Sequence, residues 1–170
     1  KRQIYTLKDE KNNYLKTSLG SGVIMSSDGI IVTNFHVIKN AVQIKILLHD
    51  GRESPAEIID WDREIDLAIL KVNLNDLKPI SLGNPDSVKV GDIVLAIGNP
   101  KGIGQAVTQG IISAVGINGL RLNSLENFIQ TDAAINEGSS GGALIDIYGN
   151  LLGINTLSLN GNGASGIGLS

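Results

Sequence analysis

Short runs of Ile, Val and Leu alternate with polar turns along most of this sequence. Apolar, β-branched runs of about four to eight residues, bounded by turn residues, are typical of β-strands. The pairs Asp28-Gly29, Asp50-Gly51 and Gly149-Asn150 separate several of these runs, and such pairs favour tight hairpins. The pattern predicts strands at residues 20–25, 30–33, 42–48, 56–60, 67–72, 92–97, 106–114, 128–131, 143–147 and 151–157.

Helical periodicity does not extend over any stretch of about 12 residues or more, and only residues 34–39 resemble a short helical turn. Residues 73–89 interrupt the strands with Asn, Asp, Gly and Pro, and they leave a similar number of strands on either side. The sequence therefore predicts an all-β fold of two six-stranded antiparallel β-barrels, with a first lobe at residues 1–78 and a second lobe at residues 79–170.

The composition narrows the possible functions. Of 170 residues, 14 are Lys or Arg and 17 are Asp or Glu, so the formal net charge of −3 provides no basic field for a nucleic acid. Cys is absent and His occurs twice, which argues against a disulfide framework and against a zinc site. No apolar run reaches the ~18 to 20 residues needed to cross a bilayer. We expect a soluble domain that uses neither a metal nor a cofactor.

Residues 131–144, TDAAINEGSSGGAL, place Ser140 in a glycine-rich loop between two apolar strands. Small neighbours let a substrate carbonyl approach the hydroxyl, and Gly138 can adopt backbone angles that direct successive N–H groups to one point. These are the requirements of a serine nucleophile. An ordinary Gly/Ser turn is the alternative interpretation, so the partners of Ser140 must decide between the two.

A serine hydroxyl needs a neighbouring base, and an imidazole, with an ordinary pKa of ~6.5, suits that role. His49 precedes Asp50-Gly51 in a predicted hairpin turn, which favours a solvent-exposed loop residue. His36 follows the strand at residues 30–33, where the chain leaves the predicted core. His36 is therefore the candidate base, and a structural histidine is the alternative interpretation.

The base also needs a carboxylate that orients it. Asp60, Asp62, Glu64 and Asp66 form an acidic cluster, in which Asp66 stands directly before the apolar strand at residues 67–72. The other three have the pattern of a solvated loop. Asp66 is therefore the candidate orienting residue, and a turn residue at the strand entry is the alternative.

Three motifs, TNFHVI, DLAIL and INEGSSGGAL, occur in this order and resemble the His, Asp and Ser motifs of the HtrA family of chymotrypsin-like serine proteases. The segments GSGVIM, GDIVLAIGNP, VTQGIISA and GINTLS extend the resemblance from about residue 19 to residue 169. GINTLS and a short first loop are similar to the DegS type within the family. The resemblance implies a chymotrypsin-like double barrel and a serine endopeptidase. It implies His36 as general base, Asp66 as orienting carboxylate and Ser140 as nucleophile, with the N–H groups of Gly138 and Ser140 as the oxyanion hole.

The resemblance also implies a substrate pocket between the segment before the nucleophile and residues 155–158. The substrate-binding residues that it predicts are Ala134, Ile135, Asn155, Thr156, Leu157 and Ser158. Ala134 occupies the place where trypsin-like relatives carry a carboxylate, so we expect small or medium aliphatic side chains before the scissile bond. Backbone groups of residues 155–158 are expected to pair with the substrate as an added strand.

One position departs from the family pattern. The family usually has Asn directly before the nucleophile, whereas this sequence has Ser139. Because two glycines follow Ser140 directly and the G-x-S-G-G spacing is kept, the resemblance selects Ser140 rather than Ser139 as the nucleophile.

Resemblance to the DegS type further implies a homotrimer in the bacterial periplasm that responds to envelope stress by cleaving a membrane-spanning anti-sigma factor. It implies a C-terminal PDZ domain and an inner-membrane anchor, both of which lie outside this sequence. The alternative is a catalytically silent module that binds extended peptides on the same fold. Labelling with a fluorophosphonate distinguishes the two, because only an activated serine reacts with it.

Overall fold

Two β-sheets account for most of the structure. The computed structural model describes residues 3–10, 14–99, 104–118, 127–158 and 168–169. The strands of the first sheet lie between residues 3 and 72, and those of the second sheet lie between residues 81 and 169.

The first sheet has seven strands and a short helix, α1 (Phe35–Ile38). In chain order the strands are β1 (Gln3–Glu10), β2 (Tyr14–Gly20), β3 (Val23–Ile24), β4 (Ile30–Asn34), β5 (Ala41–Leu47), β6 (Glu53–Asp62) and β7 (Leu67–Val72). Their spatial order is β2-β1-β5-β6-β7-β4-β3, and the described pairs are antiparallel.

Within the described ranges, no helix has the length and apolar character that a membrane crossing requires.

Strand β7 illustrates how this sheet builds its core. Ala68, Leu70 and Val72 are buried, while the residues between them are partly exposed, as expected when one face of a strand packs on a core. The turn between β3 and β4 depends on Gly29, which has a φ of 106°. A Cβ at Gly29 would lie 2.2 Å from Val72 O, so the close approach of these two chain segments requires glycine.

The second sheet has eight strands, and a 3-10 helix (Pro85–Ser87) follows the first of them. In chain order the strands are β8 (Ser81–Leu82), β9 (Ile93–Gly98), β10 (Ala106–Ile117), β11 (Phe128–Thr131), β12 (Ala143–Asp146), β13 (Asn150–Ile154), β14 (Leu157–Ser158) and β15 (Gly168–Leu169). Their spatial order is β14-β15-β11-β10-β9-β12-β13-β8.

A small apolar cluster joins the two sheets. Val23 of the first sheet is buried together with Ala143, Ile145 and Leu151 of the second. Ile80 lies in the segment that crosses between the sheets, and its N–H donates to the carbonyl of Ile24 in the first sheet at 3.0 Å. The two sheets therefore pack directly against each other.

Every strand predicted from the sequence overlaps an observed strand, and the predicted turn at residues 34–39 contains α1. The turns at Asp28-Gly29, Asp50-Gly51 and Gly149-Asn150 join paired strands, as predicted. The hairpin of β1 and β2 was not predicted. These strands mix polar and apolar residues and have no sustained apolar run, and β1 also pairs with the distant strand β5.

The prediction of two six-stranded antiparallel barrels is confirmed only in its coarser part, a mostly β fold with little helix. The described strands form a seven-stranded and an eight-stranded sheet, and the described pairs do not close either sheet into a barrel. One pair, β8 with β13, is parallel rather than antiparallel. Strand β8 enters from the segment that crosses between the sheets, so a hairpin turn does not set its direction. Closure of the barrels stays a prediction.

Candidate active site

His36 is the second residue of α1, directly after β4. Asn34 ends β4 in an extended conformation, with φ −78° and ψ 145°. Val37 and Ile38 bury the opposite side of α1 in the first core. The core thus fixes the backbone of His36, while 43% of its side chain is exposed. The imidazole is therefore carried by a fixed backbone and is accessible to a ligand.

Asp66 lies in the turn between β6 and β7 with φ 56°, a left-handed conformation that residues other than glycine adopt rarely. Its carbonyl oxygen accepts hydrogen bonds from Phe35 N and Asn34 Nδ2, each at 3.0 Å. Earlier in the turn, Asp62 Oδ1 accepts a hydrogen bond from Glu64 N at 2.7 Å. These bonds hold the backbone of Asp66 against the start of α1.

Both carboxylate oxygens of Asp66 contact His36. Oδ1 accepts a hydrogen bond from His36 N at 2.9 Å, and Oδ2 lies 2.6 Å from His36 Nδ1. Because an ionised carboxylate can only accept, Nδ1 carries the imidazole proton and Nε2 is left as the proton acceptor.

The environment of Asp66 keeps it ionised at neutral pH. Burial raises the pKa of its carboxyl group. Four interactions outweigh this effect and lower the pKa below its ordinary value of 3.8. They are the hydrogen bond from the His36 side chain, the positive charge of His36 when it is protonated, the His36 backbone N–H and the Thr156 hydroxyl. A permanent negative charge is therefore fixed beside His36 Nδ1.

Thr156 connects Asp66 to Ser140. Its hydroxyl donates to Asp66 Oδ2 at 3.2 Å, and its carbonyl oxygen accepts a hydrogen bond from Ser140 Oγ at 3.1 Å. Ser140 precedes β12 and Thr156 follows β13, so both belong to the second sheet. Through Thr156, the structure brings Ser140 and the pair of His36 and Asp66 into one site between the two sheets.

The residues before Ser140 form a tight turn. Ser139 N donates to Asn136 O at 2.8 Å, and Gly138 at the third position of this turn has φ 93°. A positive φ at the third position is typical of a type II turn, in which the central peptide is rotated by about 180° relative to a type I turn. The central peptide here carries the N–H of Gly138, so the turn type sets the direction of that N–H.

Ser21, which lies between β2 and β3, holds the loop that carries Ser140. Its N–H donates to Ser140 O at 2.8 Å, and its hydroxyl donates to Gly138 O at 2.8 Å. The Ser21 hydroxyl also accepts a hydrogen bond from Asn99 N at 3.0 Å. Sequence reasoning did not identify Ser21 or Asn34 as site residues. The local signals were weak: Ser21 stands between two glycines, and Asn34 stands two positions before His36.

The two glycines after Ser140 are required by close backbone contacts. A Cβ at Gly141 would lie 2.2 Å from Ser21 O, and Gly141 also has φ 81°. A Cβ at Gly142 would lie 2.1 Å from Ile97 O. Contacts this short cannot be relieved by moving a side chain, so the Ser-Gly-Gly sequence follows from how tightly this loop packs.

The predicted substrate-binding residues fall into different environments. Ala134 is exposed, and its carbonyl oxygen accepts a hydrogen bond from Thr108 Oγ1 at 2.9 Å. Ile135 is buried in the second core. Leu157 and Ser158 form β14, which is one of the two described edge strands of its sheet, and β8 is the other.

Asn155, directly after β13, holds the two glycines that follow Ser140. It is completely buried, its N–H donates to Gly142 O at 2.8 Å, and its carbonyl oxygen accepts a hydrogen bond from Gly141 N at 2.8 Å. Its side-chain amide donates to Ile97 O and Ala143 O. Because both of its backbone groups are already hydrogen-bonded within the protein, any pairing with a substrate falls to the residues that follow it.

The side chains of two residues that sequence reasoning set aside, His49 and Ser139, take no part in the contacts described between His36, Asp66, Thr156 and Ser140. His49 is exposed in the turn between β5 and β6, as predicted. Ser139 is buried, with 6% exposure, whereas Ser140 is partly exposed. Ser139 Oγ lies against Gly98, where an added Cβ would be 2.8 Å away. Of the two adjacent hydroxyls, that of Ser140 is the one open to a substrate.

A family model described as trypsin-like peptidase domain matches residues 20–154, and the chain belongs to this family. Solved structures that this chain resembles include HtrA-type proteases. The periplasmic pH-dependent serine endoprotease DegQ of Escherichia coli is 51% identical over 155 residues, which cover 89% of this chain and 34% of DegQ. A probable serine protease do-like protein of Buchnera aphidicola is 48% identical over 165 residues, 95% of this chain and 34% of that protein. The chain spans about a third of the length of these curated relatives.

Solved structures give the same assignment. The HtrA-type protease AlgW with tripeptide has a TM-score of 0.93 and 53% identity, covering 99% of this chain and 54% of that chain. The serine endoprotease from Yersinia pestis has a TM-score of 0.82 and 46% identity, covering 99% of this chain and 57% of that chain. At these identities, the likeness covers both the fold and the family.

Proposed function

We propose that this chain is the catalytic domain of a serine endopeptidase, with Ser140 as nucleophile, His36 as general base and Asp66 as the carboxylate that orients the base. The observation that carries the proposal is the unbroken series of contacts from His36 through Asp66 and Thr156 to Ser140. An accessible imidazole whose Nδ1 faces an ionised carboxylate has Nε2 available to accept a proton from a serine hydroxyl.

The reaction proceeds through an acyl-enzyme. The Ser140 hydroxyl turns from Thr156 O towards His36, its proton passes to Nε2, and Oγ forms a bond to the substrate carbonyl carbon. The tetrahedral intermediate then breaks its C–N bond, and His36 returns the proton to the departing amine. Water attacks the ester in the same way, with His36 again as base, and it releases the acid and restores Ser140.

The backbone N–H groups of Gly138 and Ser140 form the oxyanion hole in this proposal. The type II turn before Ser139 supports it, because that turn sets the direction of the Gly138 N–H. The two bonds from Ser21 to Gly138 O and Ser140 O hold the same loop in place. Donors fixed in advance stabilise the developing oxyanion without reorganisation during the reaction.

Substitution of the two adjacent serines tests the assignment. Ser140→Ala should abolish peptidase activity and fluorophosphonate labelling, while Ser139→Ala should retain a substantial part of both. His36→Ala should lose about as much activity as Ser140→Ala, because residues that act as a unit do not give additive losses. Turnover that survives in Ser140→Ala would reject the assignment. Binding of peptides by a wild-type protein that is never labelled would favour the silent binding module.

The substrate is an extended polypeptide that adds to the edge of the second sheet at β14. An edge strand presents unpaired backbone groups, which an extended peptide can pair with, and β14 is the described edge strand that lies next in sequence to Thr156. Ala134 is exposed, Ile135 is buried directly after it, and neither carries a charge, so we expect small or medium aliphatic residues before the scissile bond. Faster cleavage after Arg or Lys than after Val or Ala in a peptide library would contradict this specificity.

The domain assembles as a homotrimer in this proposal. Ile93 is 48% exposed and pairs across strands with Ile111, which is 40% exposed. Ile147 and Tyr148 line a common surface pocket with Ile93 and are 60% and 84% exposed. Contiguous exposed apolar side chains mark surfaces that associate with a partner. Ile93→Glu should reduce the sedimenting mass to that of a monomer, while Val42→Glu, at a separate exposed position, should not.

By resemblance to DegS-type proteases, the full-length protein works in the periplasm, held to the inner membrane by an anchor, and cleaves a membrane-spanning anti-sigma factor under envelope stress. A PDZ domain in the full-length protein regulates the site. Labelling rates of this domain and of the full-length form should therefore differ, and a C-terminal peptide that activates the full-length form should leave the isolated domain unchanged.

For the fold, we propose that the lobes at residues 1–78 and 79–170 close into two barrels.

A further inference from the structure

An aromatic pair lies beside His36 and Asp66. The rings of Phe35 and Trp61 are stacked, with centroids 4.9 Å apart and an angle of 25° between their planes. Trp61 is the only Trp in the sequence, and 53% of it is exposed. Phe35 is partly buried and packs against the first core. Trp61 therefore covers the ring of Phe35, next to His36, and does not itself fill the core.

The stack joins the two elements that carry His36 and Asp66. Phe35 is the first residue of α1 and directly precedes His36, while Trp61 lies near the end of β6, which leads into the Asp66 turn. Asp62, the residue after Trp61, closes that turn through its bond from Glu64 N. A shift of Trp61 relative to Phe35 would therefore change the distance between α1 and the Asp66 turn.

Asp66 depends on contacts of this kind. Its φ of 56° lies in a sparsely populated region, and such conformations persist only when surrounding contacts hold them. One of these contacts is the hydrogen bond that Phe35 N donates to Asp66 O at 3.0 Å. Phe35 thus binds Asp66 through its backbone and Trp61 through its ring.

We propose that Trp61 is a positioning residue: by stacking on Phe35, it keeps the Asp66 turn in register with α1 and so aligns the carboxylate with His36. The inference rests on the proposed roles of His36 and Asp66. Trp61 acts on the reaction through Phe35 and makes no contact with the substrate in this proposal. Small misplacements of catalytic groups are costly, since about 1 Å can reduce the rate by a factor of about 100.

The test compares Trp61→Leu, Trp61→Phe and a control, Ile59→Ala. Leu keeps an apolar side chain over Phe35 but removes the ring stack, whereas Phe keeps a ring. Ile59 lies on the same strand with a similar exposure, 56%. We expect Trp61→Leu to lower kcat and the fluorophosphonate labelling rate about tenfold with KM nearly unchanged, because the alignment acts on the nucleophile rather than on binding. Trp61→Phe should stay within about threefold of wild type and Ile59→Ala within about twofold.

Circular dichroism at the assay temperature identifies variants that are folded, and the comparison of Phe with Leu keeps the test decisive if one variant is unstable. Wild-type rates in a folded Trp61→Leu would overturn the inference alone. Equal losses in the Phe and Leu variants, or a raised KM at unchanged kcat, would also overturn it, the latter by making Trp61 a substrate contact. A wild-type protein that is not labelled would overturn the proposed function and this inference with it.

Discussion

The substitution Gly138→Ala tests whether activity depends on the direction of the Gly138 N–H group rather than on the stability of the loop that carries it. Gly138 has φ 93°, where an alanine is strained by about 1 to 2 kcal/mol. A type I turn relieves this strain and still preserves the bond from Ser139 N to Asn136 O. We therefore expect the central peptide to rotate, which turns the Gly138 N–H away from the position of the oxyanion.

The loss of one oxyanion donor costs about 3 kcal/mol, which lowers kcat by a factor of about 100 to 1,000. The assay is kcat for a chromogenic peptide, combined with the rate of fluorophosphonate labelling and a thermal unfolding curve. The expected result is a large fall in both rates with a modest fall in Tm, because the turn keeps its hydrogen bond.

Gly149→Ala is the matched control. Gly149 also has a positive φ, 87°, in a tight turn, and it has open space where a Cβ would be added. It should lose a similar amount of stability and keep its activity. If Gly138→Ala retained more than about a tenth of wild-type kcat at a comparable loss of stability, the Gly138 N–H would not be a donor to the oxyanion and the reasoning would be refuted.

Three further predictions follow from the same site. Thr156→Val removes the hydroxyl that donates to Asp66 and should lower kcat about tenfold, whereas Thr156→Ser should restore most of it, as steady-state kinetics would reveal. The lowered pKa of Asp66 stabilises the fold fully above the ordinary value of 3.8, and this contribution is lost as the pH falls through the folded-state pKa. The difference in unfolding free energy between wild type and Asp66→Asn should therefore shrink in denaturant titrations as the pH is lowered below about 4, and a constant difference would contradict it. Ala134→Asp should shift cleavage in a peptide library towards Lys or Arg before the scissile bond, and an unchanged profile would place Ala134 outside the pocket.

Local patterns in the sequence were sufficient for the strands but not for their closure. Strand β7 was predicted with its observed bounds, because its short apolar run is bounded by polar residues. In the structure, every second residue of this strand is buried. Strands β1 and β2 were missed, since their stability depends on pairing with each other and with β5 rather than on apolar runs of their own. The parallel pairing of β8 was also missed, because it depends on the path of the chain between the sheets.

The site divides in the same way. Motifs pointed to His36, Asp66 and Ser140, and the structure places the first two in direct contact. Thr156 was assigned only to substrate binding, because its side-chain bond to Asp66 spans 90 positions of sequence and leaves no local pattern. The bond from Ser21 to Gly138 spans 117 positions. Polar residues that act across such distances are visible only when the chain is folded.

The brace that Ser21 provides has a consequence for how this domain opens. The loop that carries Ser140 leads into β12 of the second sheet, but it is hydrogen-bonded to Ser21, which lies between β2 and β3 of the first. Thr33 Oγ1 in turn holds Ser21 by donating to Ser21 O at 2.7 Å. Separation of the sheets therefore breaks the hydrogen bonds by which Ser21 holds Gly138 and Ser140. We expect the amide proton of Ser21 to exchange slowly, because its hydrogen bond to Ser140 O must open first. We therefore expect partly opened molecules to lose peptidase activity together with the packing of the two sheets, because the loop that carries Ser140 loses its support from Ser21.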